Sequence, residues 1–79
     1  MAEIPLDFDI LGPIHSVEII ASGRAVRLAS WLRQRYGGRR WRKMKGRALI
    51  RERNGVTHEA ELHWFEAHGV GKVQWKVKP

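Results

Sequence analysis

His63, Glu66 and His68 fall within one short string, His63-Trp64-Phe65-Glu66-Ala67-His68, and Lys72 follows shortly after it. A histidine, a carboxylate and a lysine converging at a strand end make a usable general acid–base set for cleaving RNA. One group takes the proton of a 2′-hydroxyl, an acid protonates the leaving 5′-oxygen, and cations hold the charge on the phosphate. That route needs no metal or other cofactor. Adjacent strand residues point to opposite faces, which weighs against the string acting as a unit, and the alternative is that both histidines are structural. His63, Glu66 and His68 match neither a helical His-Glu-x-x-His set nor a finger, and no fourth ligand is evident, so no metal site is expected.

A second group is Arg39-Arg40-Trp41-Arg42-Lys43-Met44-Lys45-Gly46-Arg47, in which six of nine residues are cationic. Such a density repels itself and gains most against phosphate, where each neutralised charge releases condensed counterions. Trp41 is the candidate for stacking on a base, an interaction of about 1–3 kcal/mol, or else a lid on the edge of the core. Arg39, Arg40, Trp41, Arg42, Lys43, Lys45 and Arg47, with Lys72 and Lys76, form the expected nucleic-acid-binding set. Arg24, Arg27, Arg33 and Arg35 add to the excess upstream. The bland alternative is a solvated connector that keeps a small protein soluble.

The whole chain has 79 residues, with 15 Lys and Arg against 8 Asp and Glu and a formal charge of +7. The balance is uneven: residues 1–23 sum to −4 and residues 24–79 to +11. A chain this short hides only roughly 60% of its unfolded surface, which allows one thin core and excludes a second domain. There is no cysteine, hence no disulfide, thiolate zinc site or cysteine nucleophile. No stretch approaches the roughly 18 apolar residues of a membrane span, and the acidic start is unlike a signal peptide. A soluble, cytoplasmic protein with no membrane partner is expected.

These residues must be positioned by an acidic-apolar arm, residues 1–13, and a single basic α+β domain, residues 14–79. Residues 14–21 are rich in β-branched side chains and read as a strand. Ser22 offers an N-cap, Gly23 to Tyr36 reads as a helix with Ala25, Val26, Leu28, Ala29, Leu32 and Tyr36 on one stripe, and Gly37-Gly38 stops it. After the basic connector, Asn54-Gly55 between two strand-like runs signals a hairpin with a two-residue loop. That loop pairs Arg53 with Val56, Arg51 with His58, Leu49 with Ala60 and Arg47 with Leu62. Leu49, Ala60, Leu62 and Trp64 should then face the helix. Residues 72–78 alternate, with Val73, Trp75 and Val77 on one side and Lys72, Gln74, Lys76 and Lys78 on the other. The expected order is β-α-β-β-β, a mainly antiparallel four-stranded sheet packed against one helix.

At Arg40-Trp41-Arg42-Lys43-Met44-Lys45-Gly46 and over residues 60–72 the chain resembles a group of small uncharacterised bacterial proteins with similar strings. Its element order and basic sheet are also similar, more remotely, to RelE/ParE-type toxins and the barnase, EndoU, colicin and RelE group of small RNases. That resemblance implies an acidic antitoxin-like partner. RelE-like enzymes usually act through lysine, arginine and tyrosine on the sheet, and here Tyr36 is the only tyrosine. The expectation is a small RNA-acting protein, a metal-independent toxin-like endoribonuclease. The alternatives are a non-catalytic RNA- or DNA-binding module or ribonucleoprotein subunit, and a subunit whose basic face docks an acidic protein.

Overall fold

A computed structural model of the chain describes residues 7–78. Its strands are β1 (Phe8–Ile10), β2 (His15–Ser22), β3 (Arg42–Glu52), β4 (Thr57–Ala67) and β5 (Gly71–Lys78). A 3-10 turn (Gly23–Ala25) and helix α1 (Ala29–Tyr36) lie between β2 and β3. All pairings are antiparallel. β3 is central: β4 flanks one side, β2 and β1 share the other, and β5 lies beyond β4. The edge made by β1 and β2 is broken over residues 11–14, where Pro13 has no N–H to offer a ladder.

The class is α+β, an antiparallel sheet with one helix, as expected. The order is β-β-α-β-β-β, one strand more than the expected β-α-β-β-β, and the basic run is placed differently. Of the acidic arm, residues 1–6 lie outside the described part, and Phe8–Ile10 pairs with the far end of β3. The basic run is no connector, because β3 starts at Arg42. Within it the period of two was present all along: Met44, Gly46, Ala48 and Ile50 are buried, while the charged residues between them point away from the core.

The hairpin is shifted by one residue from the expected register. Ala48 faces Ala60, Gly46 faces Leu62 and Met44 faces Trp64. The loop has three residues, Arg53, Asn54 and Gly55, closed by Gly55 N–H to the Glu52 carbonyl and Glu52 N–H to the Val56 carbonyl, each at 2.9 Å. Gly55 takes φ 89°, the left-handed position of a turn followed by a bulge. One residue of slip inverts a strand's faces, so Leu49 is 44% exposed and Ala48 and Ile50 are buried.

Two clusters form the core, one on each face. Phe8, Met44, Ala48, Ile50, Ala60, Leu62 and Trp64 are buried together on one face, with Ile10, Ile14, Trp75 and Val77 packed against them. Residues from both edges of the sheet thus meet, and the sheet curls over this face. The helix does not cover it, contrary to expectation. Leu32, Val26, Ala29 and Tyr36 pack on the outer face at one end, against Trp41, Phe65, Ala67, Val70 and Val73. The helix is also shorter than expected: Ser22 is extended and makes no capping bond, and Val26, again extended, is buried. It ends as expected at Gly37, whose N–H donates to the Arg33 carbonyl at 2.9 Å.

The strict alternation expected over 72–78 is broken by a bulge. Phe65 pairs with Val73 but His63 pairs with Lys76, and Gln74 between them takes φ 58°. Val73 therefore joins the helix-side cluster, while Trp75 and Val77 join the other, where Trp75 stacks on Trp64 at 4.7 Å.

Candidate nucleic-acid interface

The outer face of the sheet is polar wherever the helix leaves it open. The register places Glu18, Lys45, His63 and Lys76 in one row across β2, β3, β4 and β5, and His15, Arg47, Glu61 and Lys78 in the next. Much of this charge is spent within the sheet. Lys45 Nζ lies 3.3 Å from Glu18 Oε2, and Arg47 Nε donates to Glu59 Oε1 at 2.9 Å. His63 Nε2 donates to Glu61 Oε2 at 2.7 Å. That hydrogen bond is the main cause holding the Glu61 carboxyl below the ordinary glutamate range, with the charges of His63, Lys45 and Arg47 adding to it against the opposing effect of burial. Glu59 is lowered likewise, first by its bond from Arg47, then by the charge of His15. A cavity of about 80 Å³ lies among Ser16, Glu18, Lys45, Gly46, Arg47 and Glu61. It is far below the roughly 300–1,000 Å³ of a small-molecule site.

The catalytic set expected from sequence is not brought together. His63 is on the outer face with its side chain 14% exposed. Glu66, three residues along the same strand, faces the other way, where it accepts Trp64 Nε1–H at 2.8 Å and Arg42 Nη2–H at 2.9 Å. His68 lies beyond the strand end, exposed in the turn before β5. Glu66 is thus an internal acceptor for a buried indole. What His63 has beside it is Glu61, two residues away on the same face.

The nucleic-acid set separates into three kinds of residue. Trp41 is 1% exposed, buried against Leu32, Val26 and Ala67 with its Nε1–H on the Gly37 carbonyl at 3.0 Å. It is a core residue and cannot stack on a base, because it sits at the last position before β3, where the chain crosses under the helix. Arg42, Lys45 and Arg47 are held by carboxylates. Arg39, Arg40, Lys72 and Lys76 are exposed, and Lys43 lies 6.0 Å from the Phe65 ring centroid; none of the five has a carboxylate partner among the described residues.

Further unpaired cations adjoin Arg39 and Arg40 in the chain. From Ile19 through Arg51 the chain has eleven Lys and Arg and no Asp or Glu. Arg24, Arg27, Arg33 and Arg35, like Arg39 and Arg40, are exposed and unpaired among the described residues. The sheet carboxylates therefore neutralise sheet cations and leave the helix side free. Sequence reasoning passed over one residue there: Trp31 is 44% exposed on α1. The available signal was its place beside the buried Leu32 and one turn before Arg35.

Among the described residues no group of three His, Asp or Glu side chains could hold a metal ion. Among the same residues no helix is long and apolar enough to cross a membrane. In comparisons with known proteins, no family model, no curated protein and no solved structure matches the chain.

Proposed function

We propose that the protein binds nucleic acid, with RNA the first candidate, through the arginines of the helix side. One observation carries this reading: Arg24, Arg27, Arg33, Arg35, Arg39 and Arg40 are exposed in a stretch without a single acid and have no carboxylate partner among the described residues. Cations already paired gain little from a phosphate, since a pair must first be broken. Unpaired ones release counterions at once.

Fluorescence anisotropy of a labelled RNA across a salt series tests it. Log affinity should fall linearly with log salt, by about 0.7 per neutralised phosphate on a single strand, and Arg39→Gln with Arg40→Gln should make the slope shallower by about 1.4. No binding at low salt refutes the reading and turns attention to an acidic protein as the partner.

A second reading is RNA cleavage, favoured by the 2.7 Å contact of His63 with Glu61 in a row that also holds Lys45 and Lys76. Glu61 would hold the imidazole, His63 would take the 2′-hydroxyl proton as O2′ bonds to phosphorus and the P–O5′ bond breaks, water would protonate the leaving 5′-oxygen, and the lysines would sit against the phosphate. On this reading the protein is a cytoplasmic toxin-like endoribonuclease of RelE-like kind, restrained by an acidic antitoxin-like protein. End mapping of tRNA, mRNA and ribosome-bound mRNA decides. New ends that vanish with His63→Ala support cleavage, and intact RNA leaves binding alone.

A further inference from the structure

Trp31 has no structural task that would account for its exposure. Leu32, Ala29 and Tyr36 already supply the helix face that packs on the sheet, and Trp31 belongs to neither core cluster. Yet the ring has a firm support. It meets Tyr36 nearly at right angles, 81°, with centroids 6.2 Å apart. Tyr36 in turn leans on the buried Trp41 at 6.0 Å, and its hydroxyl accepts a hydrogen bond from Gln74 Nε2 at 2.7 Å. Gln74 is the bulge residue of β5, so the irregularity in that strand serves to hold the tyrosine. In an edge-to-face pair, whichever ring supplies the edge, at least one face of the indole has no aromatic neighbour.

The charged residues flanking this ring along the chain are all cationic. Arg35 lies one helical turn along from Trp31, with its guanidinium 5.6 Å from the Tyr36 ring centroid. The other unpaired arginines belong to the same acid-free stretch. An exposed, supported aromatic ring among cations of one sign fits a ligand with an apolar flat face and a regular negative charge. An unpaired base on a phosphate chain has both. A duplex buries its base faces in the stack and shows only edges in the grooves, so a protruding indole finds nothing to stack on there.

We propose that Trp31 is a stacking platform for an unpaired base and that the ligand of the helix side is single-stranded nucleic acid. This rests on the nucleic-acid reading above. The platform is pre-positioned by Tyr36, Trp41 and Gln74, so little freedom is lost when a base docks on it.

The test is anisotropy with a labelled single-stranded oligo(A) 12-mer and a blunt RNA duplex of equal length, for wild type, Trp31→Ala and Trp31→Phe. Trp31→Ala should weaken single-strand binding roughly 5- to 150-fold, Trp31→Phe should retain most of it, and duplex binding should change little in either. Thermal melting checks that the variants fold. As a readout that needs no folded variant, the 19F resonances of 5-fluorotryptophan wild-type protein are followed on adding oligo(A). The Trp31 signal should move more than those of Trp41 and Trp64. Single-strand affinity unchanged in Trp31→Ala, equal losses for duplex and single strand, or a silent Trp31 resonance overturns the platform and leaves electrostatic binding standing. A wild type that binds neither probe overturns both readings and leaves Leu28 and Trp31 as an exposed apolar patch for a protein partner.

Discussion

Replacing Trp41 by alanine separates its two conceivable roles by sign as well as by size. A base platform would lose affinity and keep stability; a core residue does the reverse. The ring is 1% exposed, packs with Val26, Leu32 and Ala67, and donates to the Gly37 carbonyl at 3.0 Å. Truncating a buried tryptophan costs about 3–5 kcal/mol, part of which is the cavity left where the sheet and helix meet. A domain of this length is stable by roughly 4–12 kcal/mol, so Trp41→Ala removes about a quarter or more of the total and lowers Tm by at least about 12 °C. Trp41→Phe keeps an aromatic ring but loses volume and the N–H, leaving the Gly37 carbonyl without its indole donor, and should cost about 1–2 kcal/mol. Urea and thermal unfolding followed by far-UV circular dichroism give both values. RNA anisotropy on Trp41→Phe should give an affinity within about twofold of wild type. A Trp41→Ala protein as stable as wild type but defective in binding would refute the buried placement and the assignment of Trp31 with it.

Three further outcomes are expected. In Gly46→Ala the new Cβ would lie 2.9 Å from Ile14 Cγ2, 3.0 Å from Trp64 Cη2 and 3.2 Å from the His15 carbonyl oxygen. Overpacking of this kind costs about 1–3 kcal/mol, and an unchanged Tm would show that the curled face is looser than described. Glu66→Ala strands the buried Trp64 N–H and unpairs Arg42, at about 1–3 kcal/mol, whereas Glu66→Gln keeps an acceptor and should melt closer to wild type. Equal melting of the two variants would count against the Trp64 contact. Glu59 and Glu61 have lowered carboxyl pKa values, so the stability they supply is full above the unfolded glutamate value and is lost as pH falls through the folded values. Melting temperatures from pH 6 to pH 3 should therefore decline less steeply in Glu61→Gln than in wild type, and parallel curves would refute the coupling to His63.

Much of the fold was legible because its cause is local. Ala60, Leu62 and Trp64 alternate with charge and are the buried side of β4; Asn54-Gly55 marks the turn; Leu32 is core and Gly37 ends the helix. The register was not legible, because Asn-Gly serves both a two-residue loop and a three-residue loop with glycine in the left-handed position. Arg53 entered the loop instead of the ladder, and this one residue put Leu49 outside and Ile50 inside. The charge density of residues 39–47 hid the alternation of Met44 and Gly46 beneath it. The expected acid–base string failed for a related reason. His63 and Glu66 are near in number but stand on opposite sides of a strand.

What the sequence by itself determined is additive along the chain. An acidic beginning, a body of net positive charge, eleven cations without an acid from Ile19 through Arg51, and the absence of cysteine hold for any fold. Which of those cations are spent, and which tryptophan meets solvent, only the tertiary structure decided. Lys45, Arg47 and Arg42 are neutralised because particular strands lie side by side in one register, while the helix-side arginines have no carboxylate partner among the described residues. Trp41 and Trp31 were each a tryptophan among arginines. The first lies where the chain passes beneath the helix into β3, and the second stands on the helix beside the face that covers it. Pairing and burial depend on distances between residues far apart in the chain, and a shift of one position in a strand reverses them.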